Sequence, residues 1–311
     1  MQRNHLIHKE MRKTLLLMTT LIVSFAFNAQ AQILYRISSN GLESPSYIVG
    51  TYHLAPASFA DSIPGMRVAI ENTNQVCGEL DMMDAFKPEN TARLMQVQML
   101  PEGVTLSSLF TSDQLKRLNS LLLEVLGSNL EDEAFAAQME KMTPVALSTS
   151  LTLATYMKEH PSLNPMELID SYFQMVALQN GKAVKGFETV DFQMEVLYGD
   201  PLEKQANDLM CLVDHFEYSV EITDRITAAY FTQDLKKIEE VLEEEAEFEC
   251  SASTEKEDIL IYNRNSNWVE MMPAMMEGQP TLFVVGAAHL CGDRGVLKLL
   301  EKAGYTIEGV K

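Results

Sequence analysis

Hydrophobic positions along this chain follow two periods. Toward its two ends they form short, β-branched runs: Ile33 to Ser38, Ser46 to Gly50, Gln75 to Leu80, Thr281 to Gly286 and Tyr305 to Val310. These read as strands, and Ala183 to Phe187, beside Gly181 and Gly186, reads as another. Several are continuously apolar rather than alternating, as strands buried on both faces require. Between them apolar residues recur every three or four positions. Stretches 60–72, 85–99, 112–126, 131–141, 144–159, 165–180 and 201–248 therefore read as helices, punctuated by Pro144, Pro161, Pro165 and Pro201. The final unit is strand 281–286, a short loop, helix 295–303 capped by Gly304, and strand 305–310. No Gly- or Ser-rich linker and no tandem repeat divides the chain. The expected fold is mixed α/β (α+β), with a central mixed sheet built from N- and C-terminal strands. It forms one domain, 32–311, with a large helical insertion at about 85–180 and 200–277.

Residues 1–31 read as a signal peptide. Arg12 and Lys13 precede an apolar stretch from Thr14 to Phe27, and Ala29-Gln30-Ala31 fits a small-x-small cleavage site before Gln32. Met11 could itself be the start. The apolar stretch is too short for a comfortable membrane span. The expectation is an exported chain, periplasmic or secreted, with no stable membrane span after cleavage. Export permits disulfides, and the four cysteines are Cys77, Cys211, Cys250 and Cys291. Cys211 and Cys250 share a helical region and are the first choice for a bridge. Cys77 and Cys291 fall inside the motifs below, either as neighbours in space or as buried free thiols.

Composition narrows the function classes. With 311 residues, 46% of them hydrophobic, the chain is globular rather than disordered. A formal charge of −20 repels phosphate backbones and anionic lipid, which argues against nucleic-acid and membrane-surface partners.

The chemistry concentrates at strand ends. Tyr47 to His53 is a strand running into Gly50-Thr51-Tyr52-His53, and Leu282 to His289 repeats the arrangement as Gly286-Ala287-Ala288-His289. Glycine there lets the backbone turn and leaves each histidine beyond the carboxyl end of the sheet, where open α/β sheets hold ligands. Glu79 and Asp81 end a third apolar strand, and period-2 geometry places both on one face, about 7 Å apart. Two acids there require a cation, an arginine or a shared proton. Glu188 ends a fourth strand, where it reads equally as a ligand or as an acid favoured by a helix N-terminus. Two imidazoles with one or two carboxylates suit a divalent metal, Mn, Co or Zn, that activates water. Without metal, one histidine held by a carboxylate would act as general base. No Gly-x-Ser-x-Gly, Walker A or Gly-x-Gly-x-x-Gly sequence occurs.

These residues resemble the TraB/GumN family, which is related to the Tiki metalloproteases and more distantly to erythromycin esterases and a haem-binding lipoprotein family. Gly50-Thr51-Tyr52-His53 is similar to the family's Gly-Thr-x-His, and Glu79-Leu80-Asp81 to its Glu-x-Asp. Gly186-Phe187-Glu188-Thr189 with Gln193 resembles Gly-Leu-Glu-Thr-x-x-x-Gln, with Phe in place of Leu. Arg264-Asn265 resembles its Arg-Asn pair, and Gly286 to Leu290 with Gly292, Gly295 and Gly304-Tyr305 its C-terminal signature. The match covers about residues 33–310. The resemblance implies a mixed α/β core and divalent-metal-dependent hydrolysis of a peptide or protein substrate. It implies His53, Glu79 and His289 as ligands or bases and Glu188 as a further ligand or proton shuttle. Asp81 becomes an orienting residue, Asn265 a supporting one, and Arg264 the group that steadies an oxyanion or a substrate carboxylate, or else an ion-pair partner of one of the site acids. The alternatives are a metal-, haem- or peptide-binding protein without turnover, or an esterase-like hydrolase using His and Glu alone.

Other signals read as structure. Met271, Met272, Met275 and Met276 around Pro273 have helical spacing and suit packing better than Cu(I) binding. The acidic run from Glu239 to Glu249 interleaves Val241, Leu242, Ala246 and Phe248, the pattern of a solvated amphipathic face.

Overall fold

The structure, a computed structural model, describes residues 32–311, which form one compact unit. The expected signal peptide lies outside the described residues. Among those described, no helix is long and apolar enough to cross a membrane.

Six strands form a mixed sheet: β1 Leu34–Ser38, β2 Ser46–Thr51, β3 Gln75–Leu80, β4 Ala183–Glu188, β5 Thr281–Gly286 and β6 Thr306–Gly309. Their order is β4-β3-β5-β2-β1-β6. The four strands from β4 to β2 are mutually parallel, whereas β1 pairs antiparallel with both β2 and β6. The parallel strands therefore end on one edge of the sheet, the edge where the Gly-x-x-His and acidic motifs fall.

Helices cover both sheet faces, which explains the uninterrupted apolar runs. Tyr47, Val49, Val76, Leu282 and Val284 pack beneath Phe173, Ala177 and Tyr230. Their sequence neighbours Ile48, Cys77, Phe283 and Val285 point the other way, onto Trp268, Met272, Met276 and Val296. Two of the four clustered methionines are thus core residues. A separate helical cluster built on Leu118, Leu122, Leu147, Leu151 and Leu209 lies outside the sheet core.

The long helical stretch 201–248 is three helices, Leu202–Asp214, Phe216–Phe231 and Leu235–Ala246. Gln233, at φ 58°, makes the second break. Stretch 60–72 splits into a 3-10 turn, Ala57–Ser62, and helix Met66–Asn72. The expected loop after β5 contains a 3-10 turn, Ala287–Leu290. Cys211 and Cys250 are disulfide-bonded, the pairing their shared helical region suggested, while Cys77 and Cys291 are free and buried.

Candidate active site

Four chain crossings deliver the site. His53 follows β2, Glu79 lies near the end of β3, Glu188 ends β4, and His289 sits in the 3-10 turn after β5. Close approach, rather than a sharp turn, explains the glycine at the end of β2. A Cβ on Gly50 would stand 3.0 Å from Ala287 Cα, so any side chain would push away the turn that carries His289. Gly186 similarly lets β4 lie against the departing Leu80–Asp81 backbone.

Arg264 occupies the middle. It lies in helix Asn263–Gly278, immediately after a π-helical turn, Asp258–Tyr262. Nε donates to Glu188 Oε1 at 2.8 Å, and Nη2 donates to Glu188 Oε2 at 2.9 Å and to Glu79 Oε2 at 2.6 Å. Nη1 donates to the Leu260 carbonyl at 2.9 Å and lies 3.3 Å from His289 Nε2. Four of its five N–H groups are committed to Glu188, Glu79 and the Leu260 carbonyl, and the fifth, on Nη1, faces the His289 Nε2 lone pair. The arginine thus holds two carboxylates together, and only the N–H facing His289 would be released if that nitrogen took another partner. Glu188 is equally committed, because Oε1 also accepts from Trp268 Nε1 at 2.9 Å and Oε2 from Gln193 Nε2 at 3.0 Å. Glu79 keeps more freedom: Oε1 accepts from Gly286 N at 2.8 Å and lies 3.9 Å from His289 Nε2.

The two histidines are held alike, but their pKa values are shifted in opposite directions. His289 Nδ1 lies 2.7 Å from Asn265 Oδ1, and Asn265 Nδ2 donates to the Arg294 carbonyl at 3.0 Å. That orientation makes the amide oxygen an acceptor, places the ring proton on Nδ1 and leaves a lone pair on Nε2. Burial, reinforced by the charges of Arg264 and His53, pushes the His289 pKa down to about 4. His53 Nδ1 lies 3.0 Å from Asp170 Oδ2, and Thr51 Oγ1 donates to Asp170 Oδ1. The hydrogen bond and charge of Asp170 raise His53 to about 9, although 76% of its side chain is exposed. Burial pushes Asp170 up, but His53 and Thr51 more than offset it and leave the carboxyl low. Burial likewise opposes ionisation of Glu79, and the charges of His289, Arg264 and His53 with the Gly286 N–H hold it below the usual range.

The expected residues do not all converge. Glu79, Glu188, Arg264, His289 and Asn265 join one network, and His53, paired with Asp170, meets Glu79 in the lining of one cleft. Asp81 does not: β3 stops at Leu80, and the Asp81 carboxylate caps the Met82–Ala85 turn by accepting from Met83 N at 2.9 Å. The expected face shared by Glu79 and Asp81 is lost because the chain leaves the sheet between them. Among the described residues, the one group whose ligand atoms all lie within 4.8 Å of one another is Cys211, His215 and Cys250, and its cysteines form the disulfide. Asp170 and Trp268 escaped the sequence reading. Asp170 sits in the first turn of helix Ile169–Gln179, where an acid ordinarily signals only a helix dipole. Trp268 had no motif around it, although it lies one helical turn beyond Arg264, which stands 4.9 Å from its ring centroid.

The donor chemistry fits a divalent cation at His53, Glu79 and His289. Each imidazole has Nδ1 fixed by an oxygen acceptor, as around metal-bound histidine, and a cation at His289 Nε2 would displace its contact with Arg264 Nη1. With His53 neutral, Glu79, Glu188 and Asp170 oppose the single charge of Arg264, leaving two negative charges to balance. Glu188 does not fit as a ligand, since both oxygens are occupied. The site opens into a cleft of 430 Å³ lined by His53, Glu79, Asp170 and Gln193, with Leu80, Met82 and Leu168 among its apolar walls.

Residues 33–309 match the sequence profile of the TraB/PrgY/gumN family. A protein named metalloprotease TIKI2 from Danio rerio is 25% identical over 305 residues, covering 85% of this chain and 58% of its own length. A metalloprotease TIKI homolog from Nematostella vectensis is 23% identical over 316 residues, 86% of this chain and 65% of its own. A further TIKI homolog, from Amphimedon queenslandica, is 21% identical over 320 residues, covering 89% and 61%. The chain thus spans about three-fifths of the length of these curated relatives. No solved structure matches.

Proposed function

The chain belongs to the TraB/PrgY/gumN family, and from that premise we propose that it is an exported, metal-dependent hydrolase of peptide bonds, periplasmic or secreted. The observation that carries the reading is the pair of oriented imidazoles. Asp170 and Asn265 each fix an Nδ1, so that His53 and His289 can offer Nε2 beside the ionised Glu79. The relatives named metalloproteases support the same class.

In this reading His53, Glu79 and His289 hold the ion, with Mn, Co and Zn matching the nitrogen and oxygen donors. A divalent cation bound there supplies Lewis acidity toward a peptide carbonyl and makes water a nucleophile near neutral pH. The protein's own residues do the rest. Asp170 orients His53 and favours its Nε2 as donor once the ring proton leaves. Asn265 fixes the His289 tautomer. Glu79 Oε2 stays paired with Arg264, so Oε1 is the oxygen it has to offer, to the ion or, in a metal-free site, to a proton leaving an attacking water. Glu188, expected as the shuttle, is better suited to anchoring Arg264, which in turn places Glu79. The substrate is a peptide or protein; the acidic surface offers nothing to nucleic acid.

One observation favours a second reading, a metal-free hydrolase. His53 and His289 have pKa values pushed to about 9 and about 4, a separation that suits one acid and one neutral acceptor. The experiment is metal content by mass spectrometry on protein reconstituted with Mn, Co or Zn and desalted, with His53→Ala and His289→Ala in parallel. A peptide-library cleavage screen with and without chelator follows. Stoichiometric metal lost in both variants, with cleavage abolished by chelator, is the expected result. Cleavage that survives chelation supports the metal-free reading, and no cleavage of any peptide sinks both.

A further inference from the structure

We propose that the cleft above Glu79 is a built subsite for a bulky apolar side chain, leucine, methionine or phenylalanine, of an extended peptide lying across the site. The cleavage half of this inference rests on the hydrolase reading; the binding half does not.

Two apolar segments wall the cleft. One carries Leu80, Met82 and Phe86, the other Pro165, Met166 and Leu168. Phe86 is 62% exposed and Met166 82% exposed, so large apolar surface is left open beside the buried carboxylate Glu79. Such surface is costly in water and gains from a partner that covers it. Thioether side chains on both walls adapt to guests of different shape. No lysine or arginine lines the cleft, and its charged groups, Glu79, Asp170 and the His53 that Asp170 holds, belong to the site rather than to the apolar lining.

Both walls are tied to the groups that would do the chemistry. Leu168 forms a β-bridge with Pro56, Ala57 N donates to the Glu167 carbonyl at 2.8 Å, and Ile169 N donates to the Ala55 carbonyl at 3.0 Å. The second wall is therefore fastened to the loop that leaves His53, and it runs directly into Asp170. The first wall starts where the Asp81 carboxylate caps the Met82–Ala85 turn, and Met82 N donates to Gln174 Oε1 at 2.9 Å. This gives Asp81 a purpose consistent with its position: it aims the Met82 and Phe86 wall rather than orienting a ligand. A guest side chain seated between the walls holds its adjoining peptide bond over Glu79 and His53.

The test uses fluorescently labelled peptides that differ at one central residue, Leu, Gly or Asp. Their binding to the chelator-treated protein is measured by anisotropy, for wild type and for the Phe86→Ser/Met166→Ser double variant. The expected result is wild-type binding of the Leu peptide roughly ten-fold tighter than the Gly peptide, the scale of discrimination an apolar pocket gives. The Asp peptide should bind no tighter than the Gly peptide, and the double variant should lose the Leu preference with its thermal midpoint unchanged. Equal wild-type affinity for Leu and Gly, or a Leu preference that survives in the folded variant, overturns the subsite. Cleavage is then followed on metal-reconstituted protein. Leu-selective binding without turnover under any metal upholds the subsite and refutes the hydrolase.

Discussion

Replacing Arg264 with leucine removes the cation that lies between two buried carboxylates while keeping comparable apolar bulk. The Arg264, Glu79 and Glu188 side chains are 8%, 17% and 6% exposed, so water cannot take over the lost interactions. Three charge-assisted hydrogen bonds, at 2.6, 2.8 and 2.9 Å, disappear together. Leaving one partner of a buried ion pair uncompensated costs about 3–5 kcal/mol, and here two are stranded, so the upper end is expected. The cost should depend on pH in a definite direction. In the wild type Glu79 is held low, so its contribution is present above the unfolded carboxyl value and fades only as pH falls below it. In the variant burial is opposed only by His289, His53 and the Gly286 N–H, so the Glu79 pKa rises, and acidification from pH 7.5 to 5 recovers part of the lost stability. His289 moves the gap the same way, because removing Arg264 relieves one cause of its low pKa. Urea unfolding followed by circular dichroism at both pH values measures the gap. Tryptophan emission adds a local view, since Trp268 is the chain's single tryptophan and lies against Arg264. A cost under about 1 kcal/mol at pH 7.5, or a gap that does not narrow at pH 5, refutes the argument that the arginine compensates these carboxylates.

Metal affinity should rise roughly ten-fold per pH unit below about 9, because a cation at His53 must displace the proton that Asp170 stabilises; calorimetry with Co²⁺ at pH 6, 7 and 8 measures it, and a flat profile removes His53 from the ligand set. Asp170→Asn should flatten that profile and lower activity by roughly 10–100-fold, the usual effect of losing a group that supports a metal-bound histidine; full activity with an unchanged profile removes that role. His289, about 4 when folded, should make the protein lose about 3 kcal/mol as pH falls from 6.5 to 4, since the unfolded chain takes up the proton first; His289→Gln should unfold with a visibly shallower pH slope over that window. Cys77 and Cys291, buried with thiol pKa values pushed up to about 12, should react with a thiol reagent only in denaturant, where two thiols per chain titrate; more than two would disprove the Cys211–Cys250 bond.

The strands and the strand-end histidines were legible because burial on both faces writes itself as unbroken apolar runs such as Leu282 to Val285. Helix breaks were harder to place. The 201–248 pattern continues through His215 and Gln233, where tertiary packing rather than composition interrupts it. Site membership divides along the same line. Residues that chain direction alone sends to the sheet edge, His53, Glu79, Glu188 and His289, could be named. Asp170 could not, because its pairing with His53 depends on where a distant helix docks, and an acid in a first helical turn has a commoner explanation. Asp81 shows the reverse error: period-2 reasoning assumed a strand that continued one residue too far. For Arg264 the motif left open an oxyanion or an ion pair with the site acids, and only the folded geometry shows Nε and Nη2 spent on Glu188 and Glu79.

The strand order also governs when the site can exist during synthesis. β2 and β3 never pair with each other; β5 lies between them, and Thr281 N reaches back 235 residues to Ser46. Until Thr281–Gly286 has left the ribosome, the two early strands have no edge in common and His53 has no reason to face Glu79. Such long-range closure slows folding and leaves apolar strands waiting unpaired. The consequence is an order of assembly: the sheet cannot lock before the polypeptide is nearly complete, and the cleft between His53 and Glu79 is among the last features to form.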